Sequence, residues 1–218
     1  MSIRVGRSSD LHGKHKQLLT ALREQDYDAW VDTGDLQPNP GWGNPIRRHP
    51  NVQAKLQRDW WQYKNLAPRI IEALDGRPFF GVPGNHDFYN YMRMLAHRYD
   101  NVYALDSSQE APVEVLGLRW YGISQIPYIA GHWAYETTQR ELGFLVESIP
   151  STDVLLSHAP PAGVLSWRDE WGIEGLERCD FKYLFCGHVH ECGGMETTLP
   201  NGKVVANTAT TFGISVLT

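Results

Sequence analysis

A chain of 218 residues, of which 42% are hydrophobic and 21% charged, can bury the core of one large globular domain. The formal net charge of −5 argues against a protein that binds duplex nucleic acid through a basic face. No stretch approaches the roughly 20 consecutive apolar residues that span a bilayer, and the first ten residues lack the apolar centre of a signal peptide. We therefore expect a cytoplasmic protein without membrane association. Three cysteines that form no CxxC pair predict buried thiols and no disulfide framework.

Strands and helices alternate along most of the chain. The residue pattern predicts a strand at 3–7, a helix at 14–25, a strand at 29–32, a helix at 53–74, a strand at 77–82, a helix at 89–98, paired strands at 113–116 and 119–123 that turn at Gly117, a helix at 137–147, and strands at 153–157 and 182–186. Three more strands, at 195–199, 203–206 and 212–216, are predicted to form a meander with a turn at Asn201-Gly202. This order predicts an α/β fold, a four-layer α/β/β/α sandwich, in which residues 1–218 form a single domain.

A polar and aromatic segment at about 37–65 interrupts this alternation, and it contains Arg47, Arg48, Trp60 and Trp61. We interpret the segment as an insertion that faces the substrate, because loops on a rigid scaffold commonly determine specificity. The helical position of Trp60, Trp61 and Tyr63 favours packing into the core. The alternative is a platform on which a nucleobase stacks.

Five short apolar runs each end in side chains that commonly bind metals. The five clusters are Asp10-Leu11-His12, Gly34-Asp35, Gly84-Asn85-His86-Asp87, Ser157-His158 and Gly187-His188-Val189-His190. In open α/β sheets, binding sites form in the crevice beyond the carboxyl ends of the strands. We therefore expect the five clusters to converge on one point.

The side chains of these clusters offer carboxylate, amide and imidazole ligands but no thiolate. The candidate metal ligands are Asp10, His12, Asp35, Asn85, His158, His188 and His190. Mixed oxygen and nitrogen ligation suits Mn²⁺ best among the candidates, with Fe, Zn²⁺, Co²⁺ or Ni²⁺ as alternatives, and it argues against a structural zinc site. Seven ligands are too many for one such ion but suit two ions that share a carboxylate. Two cations about 3.5–4 Å apart can hold the attacking and the leaving oxygens of a displacement at phosphorus.

With these motifs in this order, the sequence resembles the calcineurin-like metallophosphoesterases, whose pattern runs D-x-H, GD, GNH[DE], H and GH-x-H. The resemblance extends from about residue 10 to residue 190. It implies two metal sites with Asp35 as the bridging ligand: Asp10, His12, Asp35 and His190 at the first, and Asp35, Asn85, His158 and His188 at the second. It also implies that His86 contacts the phosphate and protonates the leaving oxygen, and that Asp87 orients His86. The alternative for His86 is a turn residue that only forms hydrogen bonds.

The function implied is metal-dependent hydrolysis of a small phosphodiester or phosphomonoester of the nucleotide type, as in the phosphodiesterase and phosphatase branch of the family. A DNA or RNA nuclease is the alternative within the family, and the acidic charge balance disfavours it. The non-enzymatic alternative is a scaffold protein that kept the fold and lost catalysis. Arg47, Arg48 and His132 are candidate substrate contacts, although His132 would serve equally well as an ordinary loop residue. The sequence leaves the oligomeric state open.

Overall fold

The computed structural model describes residues 2–168 and 171–218. The α-helices are α1 (His15–Glu24), α2 (Pro50–Lys64), α3 (Leu66–Leu74), α4 (Tyr91–Ala96) and α5 (Gln139–Ser148), and short 3₁₀ turns cover Pro45–Arg48, Leu176–Arg178 and His190–Cys192. Across these ranges, no helix has the length and apolar character needed to span a membrane.

Two large sheets hold most of the strands. The strands are β1 (Ile3–Ser8), β2 (Ala29–Asp32), β3 (Phe79–Gly81), β4 (Val102–Ala104), β5 (Val113–Val115), β6 (Leu118–Ile123), β7 (Ile126–Pro127), β8 (Glu136–Thr137), β9 (Val154–Ser157), β10 (Tyr183–Cys186), β11 (Glu196–Thr198), β12 (Val204–Asn207) and β13 (Phe212–Leu217). The first sheet has the order β13-β1-β2-β3-β4, and the second has the order β11-β12-β10-β9-β6-β5. In the first sheet only the edge strand β13 is antiparallel to its neighbour, and β1 to β4 are parallel. In the second sheet the four inner strands are parallel, and the edge strands β11 and β5 are antiparallel to their neighbours. β7 and β8 form a small separate pair.

Three buried clusters define four layers. The middle cluster joins side chains from both sheets, and its centre is Phe80 of β3 stacked on Trp120 of β6 with ring centroids 4.0 Å apart. A second cluster packs α1 to α4 on the outer face of the first sheet, and a third packs α5 and the segment before β10 on the outer face of the second sheet. The predicted α/β/β/α sandwich is confirmed, because each sheet buries one face against the other sheet and one against helices.

The single helix predicted at 53–74 is wrong, because the structure divides this stretch into α2 and α3. Asn65 between them has φ 49° and ψ 49°, a left-handed conformation that ends a right-handed helix and that asparagine tolerates better than most residues. α2 also begins earlier than predicted, at Pro50. The side chain of His49, just before it, accepts a hydrogen bond from the Asn51 N–H. Trp61 is buried and stacks on Tyr91, and Trp60 packs against the same core cluster, so the core interpretation is confirmed for both tryptophans. It is wrong for Tyr63, which is exposed.

The predicted C-terminal meander is also wrong. β11 and β12 form the expected antiparallel hairpin in the second sheet, but β13 crosses to the first sheet and pairs antiparallel with β1. The chain passes between the sheets at Ala209, which bridges to Ser9 just after β1. This crossing joins the carboxyl ends of the parallel strands of both sheets into one edge of the sandwich. The short strand β4 was not predicted from the sequence.

A partly buried ion pair fastens α4 to the loop that follows β4. Arg93 donates two hydrogen bonds to the buried carboxylate of Asp106, Nε to Oδ2 at 2.6 Å and a second guanidinium nitrogen to Oδ1 at 2.9 Å. Burial acts to raise the pKa of Asp106, but the hydrogen bonds from Arg93 and Ser108 outweigh it and lower the pKa. A carboxyl with a lowered pKa stabilises the fold above its unfolded value of about 3.9 and loses that contribution as the pH falls through the folded value.

We therefore expect Arg93→Ala to lower the free energy of unfolding by about 1–2 kcal/mol at pH 7, which allows for the exposure of the guanidinium to solvent. The difference from the wild type should shrink as the pH falls below about 4 and through the lowered pKa of Asp106, because the carboxylate that Arg93 binds is then progressively protonated. Urea unfolding over this pH range measures both effects. Lys55→Ala, which removes an exposed pair with Asp59 on α2, is the control and should cost about 0.5 kcal/mol or less. A constant difference at all pH values would contradict this account.

Candidate metal centre

The five predicted clusters lie together at the shared edge of the two sheets. Asp10 and His12 follow β1, Asp35 follows β2 and Asn85 follows β3, whereas His158, His188 and His190 follow β9 and β10. Hydrogen bonds tie the two sets of loops together: the N–H of His188 donates to Asp10 Oδ2 at 2.9 Å, and His158 Nδ1 lies 2.7 Å from the carbonyl oxygen of Thr33. Parallel strands place these loops at one edge, as the sequence pattern predicts.

Among the described residues, three groups of Asp and His could each hold a metal ion, with ligand atoms within 4.8 Å of one another. The groups are Asp10, His12 and His190; His12, Asp35 and His86; and Asp10, Asp35 and His158. Asp10, His12 and Asp35 each belong to two groups, so the three groups form one continuous cluster. His188 belongs to none of them, but its ring lies 5.1 Å from that of His158 and it lines the same cavity.

The surroundings of His158 show how the site accommodates a cation. The fully buried ring donates its Nδ1–H to Thr33, which leaves the lone pair of a neutral imidazole on Nε2. This Nε2 faces two oxygens, Asn85 Oδ1 at 2.8 Å and Asp35 Oδ2 at 3.4 Å. A nitrogen lone pair can face two oxygen acceptors in a dry site only if a proton or a metal ion lies between them. The atoms present therefore fit a metal ion at this point.

The charges of the cluster point to the same conclusion. Burial opposes ionisation of both partners, but the imidazoles of His158 and His86 lower the pKa of Asp35, and the Asp35 carboxylate raises the pKa of His158 to about 10. The protein thus draws one positive charge into a fully buried position beside the carboxylate. A metal ion would supply that charge and leave His158 neutral, the form in which imidazole binds metals.

Close packing explains the glycines of the motifs. A Cβ on Gly84 would lie 2.6 Å from a ring carbon of His158 and still closer to a carboxylate oxygen of Asp35. A Cβ on Gly187 would lie 2.5 Å from Asp10 Oδ2. Neither position has room for a side chain, because the loops from the two sheets approach each other directly behind the ligands.

Four of the candidate ligands have a strained backbone conformation. Asp10, His12, Asp35 and His188 have φ between 43° and 65°, in the left-handed region that residues other than glycine rarely adopt. Each such residue costs about 1–3 kcal/mol and persists only where the surrounding structure holds it, typically at functional sites. Holding these four side chains in position therefore lowers the stability of the fold.

Asp87 does not orient His86, so that prediction is wrong. The buried Asp87 carboxylate accepts hydrogen bonds from the N–H of Asp35 at 2.7 Å, from the N–H of Gly84 at 2.9 Å and from the side chain of Gln37 at 3.0 Å. It therefore holds together the two loops that carry Asp35 and Asn85. Burial and the nearby charge of Asp35 raise the pKa of Asp87 to about 7.

Asn39 orients His86 instead. Nδ1–H of His86 donates to Asn39 Oδ1 at 2.6 Å, so Nε2 is the free nitrogen, and it lies 4.0 Å from Asp35 Oδ2. Burial, opposed by the charge of Asp35, lowers the pKa of His86. Asn39 lies in the 37–65 segment, between Pro38 and Pro40. Its place in this predicted turn is the one signal in the sequence that could have indicated a structural role for it.

The ligands form the floor of a cavity of about 340 Å³. Six of the seven candidate ligands line it, and the remaining lining residues are His86, Ile129, Trp133, Trp171 and Glu191. His158 lies buried beneath the floor. The three apolar wall residues Ile129, Trp133 and Trp171 were not singled out in the sequence, although Trp133 adjoins the predicted His132.

The predicted substrate contacts of Arg47, Arg48 and His132 are not borne out by the cavity lining, which contains none of the three. Arg48 donates from Nε to the carbonyl oxygen of Trp42 at 2.8 Å and so supports that residue. The ring of His132 packs against both Trp42 and Trp133, with centroid distances of 5.8 and 5.4 Å. These side chains support the cavity wall from behind.

A four-layer sandwich with Asp and His side chains gathered where both sheets end is the arrangement of a metal-dependent phosphoesterase. The sequence profile described as calcineurin-like phosphoesterase matches residues 3–192. The chain therefore belongs to the calcineurin-like phosphoesterase family, whose members are phosphoester hydrolases that depend on two metal ions. Comparison with curated proteins found no match.

Proposed function

We propose that this protein hydrolyses a small phosphate ester, either a phosphodiester or a phosphomonoester of the nucleotide type, with two divalent metal ions bound in the cavity. The observation that carries the proposal is the sharing of Asp10, His12 and Asp35 among three groups of ligands within one cavity. A single structural ion needs one closed group, whereas shared carboxylates suit two adjacent ions.

The proposed ligands divide into two sets. Asp10, His12, Asp35 and His190 would hold one ion, and Asp35, Asn85, His158 and His188 would hold the other. When bound, a pair of divalent ions supplies positive charge to the phosphoryl oxygens and acidifies water. The protein's own contribution is a fixed arrangement of ligands, a buried Asp87 that holds their loops together, and the free Nε2 of His86 at the cavity wall.

The charge balance of the proposed site suits an anionic substrate. Two divalent ions bring +4, the carboxylates of Asp10 and Asp35 bring −2, and the remaining five ligands are neutral. The resulting net charge of +2 attracts a phosphate ester. Mn²⁺ is the ion that we propose first, because the ligands are carboxylate, amide and imidazole, with Fe, Zn²⁺, Co²⁺ and Ni²⁺ as the other candidates.

The size of the cavity supports a small substrate. A volume of about 340 Å³ falls within the range of roughly 300–1,000 Å³ typical of small-molecule sites. The described residues that line it include no Lys or Arg that would follow the backbone of a nucleic acid. These observations favour a small ester over the nuclease alternative.

The test begins with protein freed of metal by chelation and then supplied with each of the five ions in turn. We expect Mn²⁺ to restore hydrolysis of p-nitrophenyl phosphate or bis-p-nitrophenyl phosphate, and calorimetry to count two ions per chain. A preference for the bis ester would indicate a phosphodiesterase. Faster cleavage of single-stranded DNA than of either ester would replace this proposal with a nuclease. Two bound ions with no hydrolysis of any ester would replace it with a scaffold protein.

A further inference from the structure

Two indole rings face the space above the candidate metal ligands. Trp133, from the loop between β7 and β8, and Trp171, from the segment after β9, line the cavity together with Ile129. Both tryptophans are half-buried, so each presents part of its ring to the cavity. The floor is polar and charged, and the wall is flat and apolar.

Trp133 is held rigidly in this position. Its ring stacks on Trp42 with centroids 4.2 Å apart and planes inclined by 11°, and it also contacts the His86 ring at 4.2 Å and the His132 ring at 5.4 Å. Its backbone N–H donates to Glu136 Oε2 at 3.0 Å, and the next N–H, of Ala134, donates to the carbonyl oxygen of Asn85 at 3.0 Å. The ring therefore keeps a fixed position relative to the ligands, and a group that stacks on it loses little free energy to ordering the protein.

The carboxylate of Glu136 shapes the whole loop. It also accepts the N–H groups of Ile129 at 2.8 Å and Ala130 at 2.7 Å, so one side chain organises both apolar residues that this loop contributes to the wall. These hydrogen bonds give the loop a defined conformation, in which Ile129 and Trp133 line the cavity.

The second tryptophan lies beside a cation. The Arg168 guanidinium lies over Trp167 at 5.1 Å and over Trp171 at 5.6 Å from the ring centroids. Among the described residues that line the cavity there is no Lys or Arg, and Glu191 is acidic. These lining residues therefore offer aromatic surface to the organic part of an ester, and none of them supplies a cation for a phosphate beyond the one at the metal ligands.

We propose that the natural substrate carries a planar aromatic or heteroaromatic ring that packs on the part of the Trp133 ring that faces the cavity, linked to a single phosphate that lies over the metal ligands. This inference rests on the proposed function and narrows its substrate class to aryl or nucleobase-bearing esters without a polyphosphate chain. Because the Trp133 ring touches His86, the ring that stacks on it belongs to the group that leaves with the ester oxygen.

The test compares two uncleavable ligands, phenylphosphonate and cyclohexylphosphonate, by calorimetry on the full chain loaded with Mn²⁺, with each dissociation constant corrected for the fraction of ligand present as the dianion. One ring is flat and the other puckered, while both carry the same phosphonate group. We expect phenylphosphonate to bind about 5- to 100-fold more tightly, which corresponds to one stacking contact on an aromatic side chain. Trp133→Ala should bring the two dissociation constants close together, and Trp133→Phe should keep most of the difference.

Tyr63→Ala is the matched control, since this tyrosine on α2 is 82% exposed and lies outside the cavity lining. It should leave the ratio of the two dissociation constants unchanged. Urea unfolding of Trp133→Ala and Trp133→Phe shows whether each variant is folded, so that a lost binding preference can be attributed to the cavity wall. The phenylalanine variant retains an aromatic surface for the test.

Equal affinities for the two phosphonates in the wild type, or a ratio that survives Trp133→Ala, would overturn the inference. Binding of neither phosphonate while p-nitrophenyl esters are hydrolysed would also overturn it and would leave the proposed function intact. Failure of the proposed function has a different signature, in which metal-loaded protein hydrolyses no ester at all.

Discussion

Asp35→Asn should abolish hydrolysis and metal binding together. The Asp35 carboxylate is buried, belongs to two of the three ligand groups, and accepts the N–H of His86 at Oδ1, 2.7 Å away, while Oδ2 faces His158. Asparagine preserves the size of the side chain but removes the charge and places an amide donor among imidazoles. We expect the affinity for Mn²⁺ and the value of kcat/KM each to fall by at least about 100-fold, because changes even at residues that only support metal ligands cost 10- to 100-fold.

Calorimetric titration with Mn²⁺ and hydrolysis of bis-p-nitrophenyl phosphate measure these two losses on the same preparation. Asp28→Asn provides the control, because Asp28 is exposed and accepts a hydrogen bond from the Arg4 N–H far along the first sheet from the ligands. It should leave both quantities unchanged. An Asp35→Asn protein that still binds two ions with wild-type affinity would show that Asp35 does not bridge them.

His86→Ala should retain both metal ions but lose about 10²- to 10⁴-fold in rate, the usual contribution of a positioned general acid. The loss should be largest for esters of alcohols with a high pKa, since p-nitrophenolate leaves without needing a proton. His86 belongs to one of the ligand groups, so the metal count is part of the prediction. Loss of an ion from this variant would make His86 a ligand, and full activity on poor leaving groups would refute the acid role.

The pH profile gives a second measure of the same residue. Burial lowers the pKa of His86. In the wild type without substrate, the ring should therefore lose its proton at a pH below about 6.5, the ordinary pKa of histidine, and a bound anionic substrate should raise that pKa again. Asn39→Asp keeps an acceptor for Nδ1–H and adds a negative charge, which should raise the pKa of His86 and move the alkaline fall of kcat towards higher pH. A profile that does not move would mean that another group supplies the proton.

Several features of the site follow from the residue order alone. The clusters that begin at Asp10, Asp35 and Asn85 follow consecutive parallel strands, and side chains at such strand ends must share an edge of the sheet. His158 and His190 belong to the second sheet, yet their motifs indicate the same site. The glycines of these motifs were recognisable as a pattern, but the reason for them, a direct contact between loops of the two sheets, appears only in three dimensions.

The errors have a common physical origin in contacts between residues far apart in the chain. Asn39 reaches His86 across 47 positions, and β13 leaves its neighbour in sequence to pair with β1 at the other end of the chain. Local patterns also missed the end of α2, because Asn65 resembles an ordinary helix residue until its left-handed backbone is seen.

The sequence by itself therefore determined the class of fold, and it indicated the candidate metal ligands and their order, since these depend on strand periodicity and on residue type. The tertiary structure decided which side chain orients His86, where Asp87 directs its carboxylate, and that Trp133 forms a wall of the cavity. Those three outcomes depend on how the segment at 37–65 and the loop between β7 and β8 pack against the strand ends. Such packing is a sum of weak long-range contacts, and no local pattern of residues encodes it.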